Sequence, residues 1–367
     1  MKKIILFGGT FDPIHQGHLS IALAAKEQLQ ADNVIFILSK SPRWKKPTVS
    51  TNDRLNMLKL AIENIEGFTY STFEIDNNSE FDYSIDTARH FVKSSKEKGE
   101  DVKYYWLIGS DQVAQLDRWA QIDELSQLVQ FVYYNREVDK ENEENIKRFN
   151  IIQIEGAKIN ISSTSVRKIE SSELPEKVFD YICDNGLYYI GKLKEYLSEK
   201  RFAHSISVAK LSRDIAKANG KDYNVAFYAG LFHDVGKYVD DKDAEKLLNE
   251  FNPDYIDMPR WSWHQFNGVA IARNEFNIED NDILESICFH ATGKAHMSPI
   301  SKIVYSADKI DPLRNYDSSE LIKACIENYR NGFIKVLEAN KEYLTITNKL
   351  DGNRLTKECF ECYIKGE

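Results

Sequence analysis

The sequence has no apolar run of membrane-spanning length. Stretches such as YYWLIG at 104–109 are as long as its hydrophobic runs become, whereas a spanning helix needs about 20 such residues. Basic charge is also scarce. Lys and Arg number 48 against 57 Asp and Glu, giving a formal net charge of -9 and a pI near 5.5. A general nucleic-acid coat needs the opposite balance, so neither a membrane nor a nucleic acid is expected as partner. Local basic pockets remain compatible with this charge. Cysteines number five, Cys183, Cys288, Cys325, Cys359 and Cys362. An odd count in a chain of this size suits a reducing cytoplasm rather than a disulfide frame. Cys359 and Cys362 form one C-x-x-C, but the second pair of a structural zinc site is missing, so they read as helix-packing residues. Lys2 and Lys3 precede only four apolar residues before Gly8, too few for a secretory signal, and a cytoplasmic location is expected. Internal repeats are absent too.

What is present is an ordinary globular composition, 42% hydrophobic and 29% charged, in 367 residues. That length favours two domains. The first half alternates β-rich runs with amphipathic stretches. KIILFG (3–8), NVIFIL (33–38), FTYSTFEI (68–75), YYWLIG (104–109) and VQFVYY (129–134) read as strands, being rich in aromatic and β-branched residues. Leu55, Leu58, Ile62 and Ile65 give one apolar helical stripe between them. Such alternation implies an α/β Rossmann-like domain, a parallel sheet with helices on both faces. Ligands then sit at the carboxyl ends of the strands, where the strand order reverses. The charged stretch DKENEENIKR (139–148) reads as a surface loop. Near 190 the pattern turns helical throughout. Val208, Leu211 and Ile215 make one stripe, ended by Asn219-Gly220. The expected domains are therefore 1–190, α/β, and 191–367, an all-α bundle.

The first strand runs straight into GGTFDPIHQGH at 8–18. Glycines at a strand end let backbone N–H groups approach an anion, which points to Gly8, Gly9 and Thr10, followed by Phe11. His15 and His18 fall at the start of the next helix, where the macrodipole favours negative charge. Three residues apart, they share a face and can address one ligand. The stretch is neither a Walker loop nor the G-x-G-x-x-G fingerprint.

His15-Gln16-Gly17-His18 resembles the H-x-G-H signature of the nucleotidyltransferase superfamily, and ISSTSVR at 161–167 resembles its second signature, I-S-S-T-x-[IV]-R. Over about residues 1–190 the likeness is to bacterial nicotinate-mononucleotide adenylyltransferase. It is carried also by LNMLKLAI (55–62), DYSIDTA (82–88), LIGSDQ (107–112), LDRW (116–119) and VFDYICDNGLY (178–188). The resemblance implies attack of a mononucleotide phosphate on the α-phosphorus of ATP, with pyrophosphate leaving, mainly by positioning and charge neutralisation. It implies that His15, His18, Thr10, Ser163, Thr164 and Arg167 hold the triphosphate, with Mg²⁺ completing the neutralisation. Gly109 belongs to the nucleotide-binding set, and Asp111 is a candidate acceptor for ribose hydroxyls. Trp119 is a candidate stacking platform for the pyridine ring, with a core aromatic as the alternative. The family usually has a P-P-H-K-like segment after the second strand. Here it reads SPRWKKP, with Trp44 in the place of His and Lys45 keeping the basic role, Lys46 being its competitor.

In the second half, His204, His233-Asp234, His264, His290 and Asp308 occur in that order, in the contexts RFAHS, GLFHDVGK, WSWHQ, CFHATGK and YSADKID. Imidazoles with carboxylates suit zinc, iron or manganese. The set resembles the HD superfamily of metal phosphohydrolases. The resemblance implies that these six residues hold two metals, Fe or else Mn or Zn, and that the chemistry is hydrolysis at phosphorus. Asp234 and Lys237 are the implied catalytic residues, and Lys237 is expected to contact a substrate phosphate. Over about 193–320 the contexts look like hydrolases that cleave diadenosine tetraphosphate into two ADP, and by that likeness Arg314 lies on the phosphate side. The alternatives for this half are a nucleotidase or phosphodiesterase of another substrate, and a nucleotide-sensing module without turnover. His90 and His296 fit no motif.

Overall fold

The computed structural model describes residues 1–40, 46–76, 83–134, 140–156, 161–347, 349 and 353–364, the side chains of 140–142 apart. These residues form two compact units. One comprises Met1–Lys168 with Glu173–Tyr188, the other Ile169–Ser172 with Tyr189–Glu367. Among the described residues no helix is long and apolar enough to cross a membrane.

The front unit is built on a six-stranded sheet, β1 (Lys2–Gly9), β2 (Asn33–Leu38), β3 (Phe68–Ser71), β4 (Val102–Gly109), β5 (Gln130–Tyr134) and β6 (Ile152–Ile154). Its order is β3-β2-β1-β4-β5-β6, and each neighbouring pair is parallel. The chain therefore winds outward from β1 to β3, then returns to place β4 against the other edge of β1. That reversal opens a crevice at the carboxyl ends of β1 and β4, where Gly8, Gly9 and Gly109 stand. Ile5, Leu6, Val34, Phe36, Phe131 and Val132 are fully buried, as strands covered on both faces require.

Four expectations change. FTYSTFEI is strand only to Ser71, because Phe73–Asp76 forms a short helix. The Ser71 hydroxyl accepts from the Phe73 N–H at 3.2 Å, and the Thr72 hydroxyl donates to Asp76 at 2.7 Å, a local alternative to the ladder. Within the stretch expected as a loop over 139–148, Asp139 lies outside the described residues and Lys140–Arg148 is helical. Its anchors are few. Asn145 is buried and donates to the Val113 carbonyl at 2.9 Å, while Ile146 packs on the core. The helix Thr51–Ile62 buries Met57, Leu58, Ala61 and Ile62, so its inward face is rotated from the expected stripe, and Ile65 lies beyond its end. The strand β6 is an addition, three residues long, too short to show a periodicity.

The rear unit is helical. Its framework is α1 (Glu199–Ala218), α2 (Tyr223–Phe232), α3 (Trp263–Phe276), α4 (Asn281–Phe289), α5 (Pro299–Lys309), α6 (Ser319–Glu327), α7 (Tyr329–Ile346) and α8 (Arg354–Tyr363). Val208 and Ile215 on α1 are fully buried, and Gly220, at φ +61°, follows that helix end. Almost all of α2, Ala226 to Phe232, is buried, so this helix is the core of the unit. Gly230 permits a close crossing, since a Cβ there would lie 2.9 Å from the Ala209 Cα. Cys359 is buried in α8 and none of the five cysteines is in a disulfide.

Candidate active sites

In the front unit, β1 delivers Gly8 and Gly9 to the crevice, and Thr10 follows. A Cβ on Gly9 would lie 2.8 Å from the Phe11 ring, so this position must stay bare for Phe11 to fold back, at φ 45°, into the core. His15 is the N-cap of the helix Gln16–Leu29 and His18 its third residue. The His15 N–H donates to His18 Nδ1 at 3.2 Å. That bond makes Nδ1 the acceptor and leaves the neutral ring's proton on Nε2. The two imidazoles lie 3.7 Å apart, and Phe11 meets His18 edge-on at 5.1 Å. His15 is buried and His18 partly exposed.

The second signature is folded against the first. Ser162 caps the helix Ser163–Arg167. The Ser163 hydroxyl donates to the Pro13 carbonyl at 2.8 Å, and the Arg167 guanidinium reaches the Asp12 carbonyl and, at 3.3 Å, the Thr164 hydroxyl. Asp12 is a hub that sequence reasoning missed. Its carboxylate accepts from the Tyr188 hydroxyl at 2.8 Å and the Thr48 N–H at 2.7 Å. Burial, then the Asp12 charge, hold the Tyr188 phenol far above its ordinary range. Arg54 was missed as well. It is fully buried and donates to the carbonyls of Thr10 (2.9 Å), Ser39 (2.7 Å) and Lys40 (3.2 Å), tying the ends of β1 and β2 together. An arginine three residues into a helix gives no sign in the sequence of facing carbonyls rather than water.

Asp111 is exposed just after Gly109, and a Cβ on that glycine would come within 2.3 Å of its carboxylate. Trp119 is partly buried, set edge-on to Phe131 at 6.2 Å and packed on the core cluster. Lys45 and Trp44 lie outside the described residues. His90 is stacked on Phe73 at 4.1 Å.

In the rear unit all six expected metal ligands converge. α1 presents His204. α2 stops at His233, so the His-Asp pair stands at a helix end rather than on a helix side. His264 is on α3, His290 caps the end of α4, and Asp308 is on α5. The ligand atoms form two groups, His204–His233–Asp234 and Asp234–His264–His290, each with its atoms within 4.8 Å of one another. Asp234 belongs to both. Gly236 of the HDVGK stretch lets α3 approach, since a Cβ there would meet the His264 carbonyl at 2.3 Å.

Backbone carbonyls set the tautomers. Nδ1 of His233, His264 and His290 donates to Gly230 (2.7 Å), Trp261 (2.9 Å) and Ile287 (2.9 Å). Each Nε2 lone pair is then left for the centre. The Nε2 atoms of His264 and His290 lie 3.2 Å apart and 3.3 and 3.4 Å from Asp234 Oδ1, while the His233 Nε2 is buried with no hydrogen-bond partner. Acceptors crowded on acceptors in a buried site call for a cation, so these residues fit divalent metals. Burial pushes the His290 imidazole down to about 3 and lowers His264 as well, keeping both neutral. Burial works against the Asp234 carboxylate, but the imidazoles of His233, His264 and His290 around it hold it well below the usual range.

Of the surrounding layer, Lys237 and Arg314 were expected from the sequence, and Asp311, Arg201 and Lys309 were not. Asp311 binds His204 Nδ1 at 2.5 Å, leaving Nε2 3.1 Å from Asp308. Burial opposes the charged His204 ring, yet hydrogen bonds to Asp308 and Asp311 raise it to about 9. Arg201 pairs with Asp234 at 2.7 Å and Lys309 with Asp308 at 2.7 Å. Arg314 is also on Asp308, at 2.9 Å, so its guanidinium braces an expected ligand. Lys237 reaches into the cluster, 3.2 Å from His264 Nε2 and 3.9 Å from Asp234, and burial lowers its pKa.

The cytidylyltransferase-like family matches residues 6–169 and the HD domain family matches 201–313. A Mycoplasma genitalium protein named "Probable nicotinate-nucleotide adenylyltransferase/Ap4A hydrolase" is 33% identical over 349 residues, covering 92% of this chain and 97% of its own. A Clostridium botulinum "Probable nicotinate-nucleotide adenylyltransferase" is 37% identical, over 51% of this chain and 99% of its own. Among solved structures, a "predicted HD superfamily hydrolase involved in NAD metabolism" from Clostridium acetobutylicum aligns with 27% identity and a TM-score of 0.42, covering 51% of this chain and 97% of that one. The chain thus belongs to the family that joins a nicotinate-nucleotide adenylyltransferase to an HD-domain hydrolase, a nucleotidyltransferase and a metal-binding hydrolase in one polypeptide.

Proposed function

We propose that this is a cytoplasmic bifunctional enzyme. The front unit transfers the adenylyl group of ATP to nicotinate mononucleotide, and the rear unit hydrolyses diadenosine tetraphosphate to two ADP. In the front reaction a phosphate oxygen of the mononucleotide bonds to the α-phosphorus of ATP. The bond from that phosphorus to the bridging oxygen breaks, pyrophosphate leaves, and deamido-NAD is formed. His18 offers Nε2–H to a phosphate oxygen, its other nitrogen being taken by the His15 N–H. His15, the hydroxyls of Thr10 and Thr164, and N–H groups where β1 ends complete the cradle, with Ser163 holding it in shape through the Pro13 carbonyl. Arg167, braced by Asp12 and Thr164, neutralises the departing pyrophosphate. Mg²⁺ adds charge neutralisation when it is bound with ATP.

The rear reading is carried by one observation, the Asp234 carboxylate common to two groups of metal-ligating atoms. Metals held there, iron in this reading, supply Lewis acidity and a more acidic water. The chain's own part is positional. His204, His233, His264 and His290 with Asp234 and Asp308 hold the ions. Arg201, Lys309 and Arg314 balance the carboxylates, and Lys237 meets a substrate phosphate. Water adds to a phosphorus beside the central bridge of the tetraphosphate, the bridging P–O bond breaks, and each half leaves as ADP.

The test is a product assay with metal analysis on the intact chain. Nicotinate mononucleotide with ATP is expected to give deamido-NAD and pyrophosphate, and diadenosine tetraphosphate to give only ADP. Inorganic phosphate from a mononucleotide, with the tetraphosphate untouched, would replace the rear substrate by a simpler nucleotide. Binding without turnover would make the rear unit a sensor.

A further inference from the structure

Beside the metal cluster the rear unit contains a cavity of about 910 Å³. One side is the cluster's own edge, with His204, Asp311, Arg201 and Arg314 in its wall. The other side has a different chemistry. Tyr316, Leu313 and Leu321 face it, as do Val336 and Tyr343 of α7. Leu313, Tyr316 and Tyr343 are 61%, 49% and 54% exposed, a large apolar surface for a monomer to leave in water beside a charged centre. Tyr316 is also fixed. Its hydroxyl donates to the Lys309 carbonyl, and the Lys309 ammonium is paired with Asp308. The phenol oxygen is thereby used within the protein, and only the ring face is offered to a ligand. Its distance from the cluster is held by the same residue that braces a metal ligand.

We propose that this cavity takes the nucleoside of the nucleotide whose phosphates reach the cluster, with the rings of Tyr316 and Tyr343 as the aromatic surfaces for the base. The inference rests on the reading that this unit acts on nucleotides. A phosphate ester without a planar base would engage the charged side alone and leave the tyrosines wet. A nucleobase has a π-face on both sides and stacks on aromatic rings regardless of its hydrogen-bonding edge. The cavity lies within the size range of pockets that enclose small ligands, about 300–1,000 Å³. Lys200 and Arg201 line the same space, so the cationic and aromatic walls together match a base, a sugar and a run of phosphates.

The experiment compares adenosine 5′-monophosphate with ribose 5-phosphate, binding to the full-length manganese-loaded chain by calorimetry. The chains are wild type, the double variant Tyr316→Leu with Tyr343→Leu, and the double variant with Phe at both positions. Any contribution of the front unit is common to all three. The monophosphate is expected to lose about tenfold in affinity in the Leu variant and to keep it in the Phe variant. Ribose 5-phosphate binding and metal content are expected to be the same in all chains. An unchanged monophosphate isotherm in the Leu variant would overturn the proposal, as would an equal loss for both ligands. If the tyrosines govern monophosphate binding while diadenosine tetraphosphate is not cleaved, the substrate reading alone falls and the nucleoside site stands.

Discussion

The two centres are built in opposite ways. The front one is local. Gly8 to His18 is a single stretch of chain, and one short second stretch, Ser163–Arg167, folds onto it through Pro13 and Asp12. In the proposed reading much of what it offers a ligand is backbone N–H at a strand end. The rear one is assembled from five helices or helix ends, across more than a hundred residues of sequence, and offers side chains only. The lesson is that a polar backbone cradle needs one turn held in shape, whereas a metal cluster needs a whole bundle to keep its spacing. Disturbing the two should therefore give different signatures.

The largest contrast is expected from Asp234→Ala. With its shared carboxylate gone, metal content should fall sharply and hydrolysis should drop by more than about 1,000-fold, while adenylyl transfer continues; metal analysis beside both assays checks this. His18→Ala should act in the mirror sense. Adenylyl transfer is expected to fall by about 100- to 1,000-fold, the usual loss for a preorganised donor to developing charge, with metal content and hydrolysis intact. Loss of both activities in either folded variant would contradict the independence of the two centres. Arg54→Met should reveal the front centre's dependence on its frame. Three partly buried carbonyls lose a donor and a buried guanidinium is removed, and a destabilisation of about 3 kcal/mol is expected. It should appear in calorimetry as a lowered transition for the front unit, with the rear transition unmoved. The smallest effect is expected from Asp311→Asn, which keeps a side chain on His204 but removes its charge. Metal affinity should weaken by about 10- to 100-fold, the range for partners that orient a ligating histidine, and excess metal should restore hydrolysis.

How far the sequence could be read follows the same division. The strand-helix alternation, the H-x-G-H turn and the ordered histidines and aspartates were legible because each rests on residue type and short spacing. The helix Lys140–Arg148 was not. Eight of its nine residues are polar or charged, and what holds it inward is Asn145 and Ile146. The strand expected over 68–75 was halved because Ser71 and Thr72 bond locally and turn the chain. Arg54, Asp12, Arg201 and Asp311 escaped for a common reason: nothing local distinguishes a charged residue that faces solvent from one that faces another element. Trp119 shows the limit from the other side, since its packing on Phe131 and the core was one of two roles compatible with the sequence.

The carboxylate of Asp234 stands in both ligand groups. No replacement at that position can therefore be confined to one of the two groups, and the whole rear centre shares that residue. In the front, among the described residues, no carboxylate is shared in this way, and its demands fall on separate positions of one stretch, Gly9 bare for the Phe11 ring and His18 as a donor. Saturation mutagenesis of the gene would accordingly record one codon dominating the rear map and, across residues 8 to 18, several separate intolerant codons, Gly9 and His18 among them.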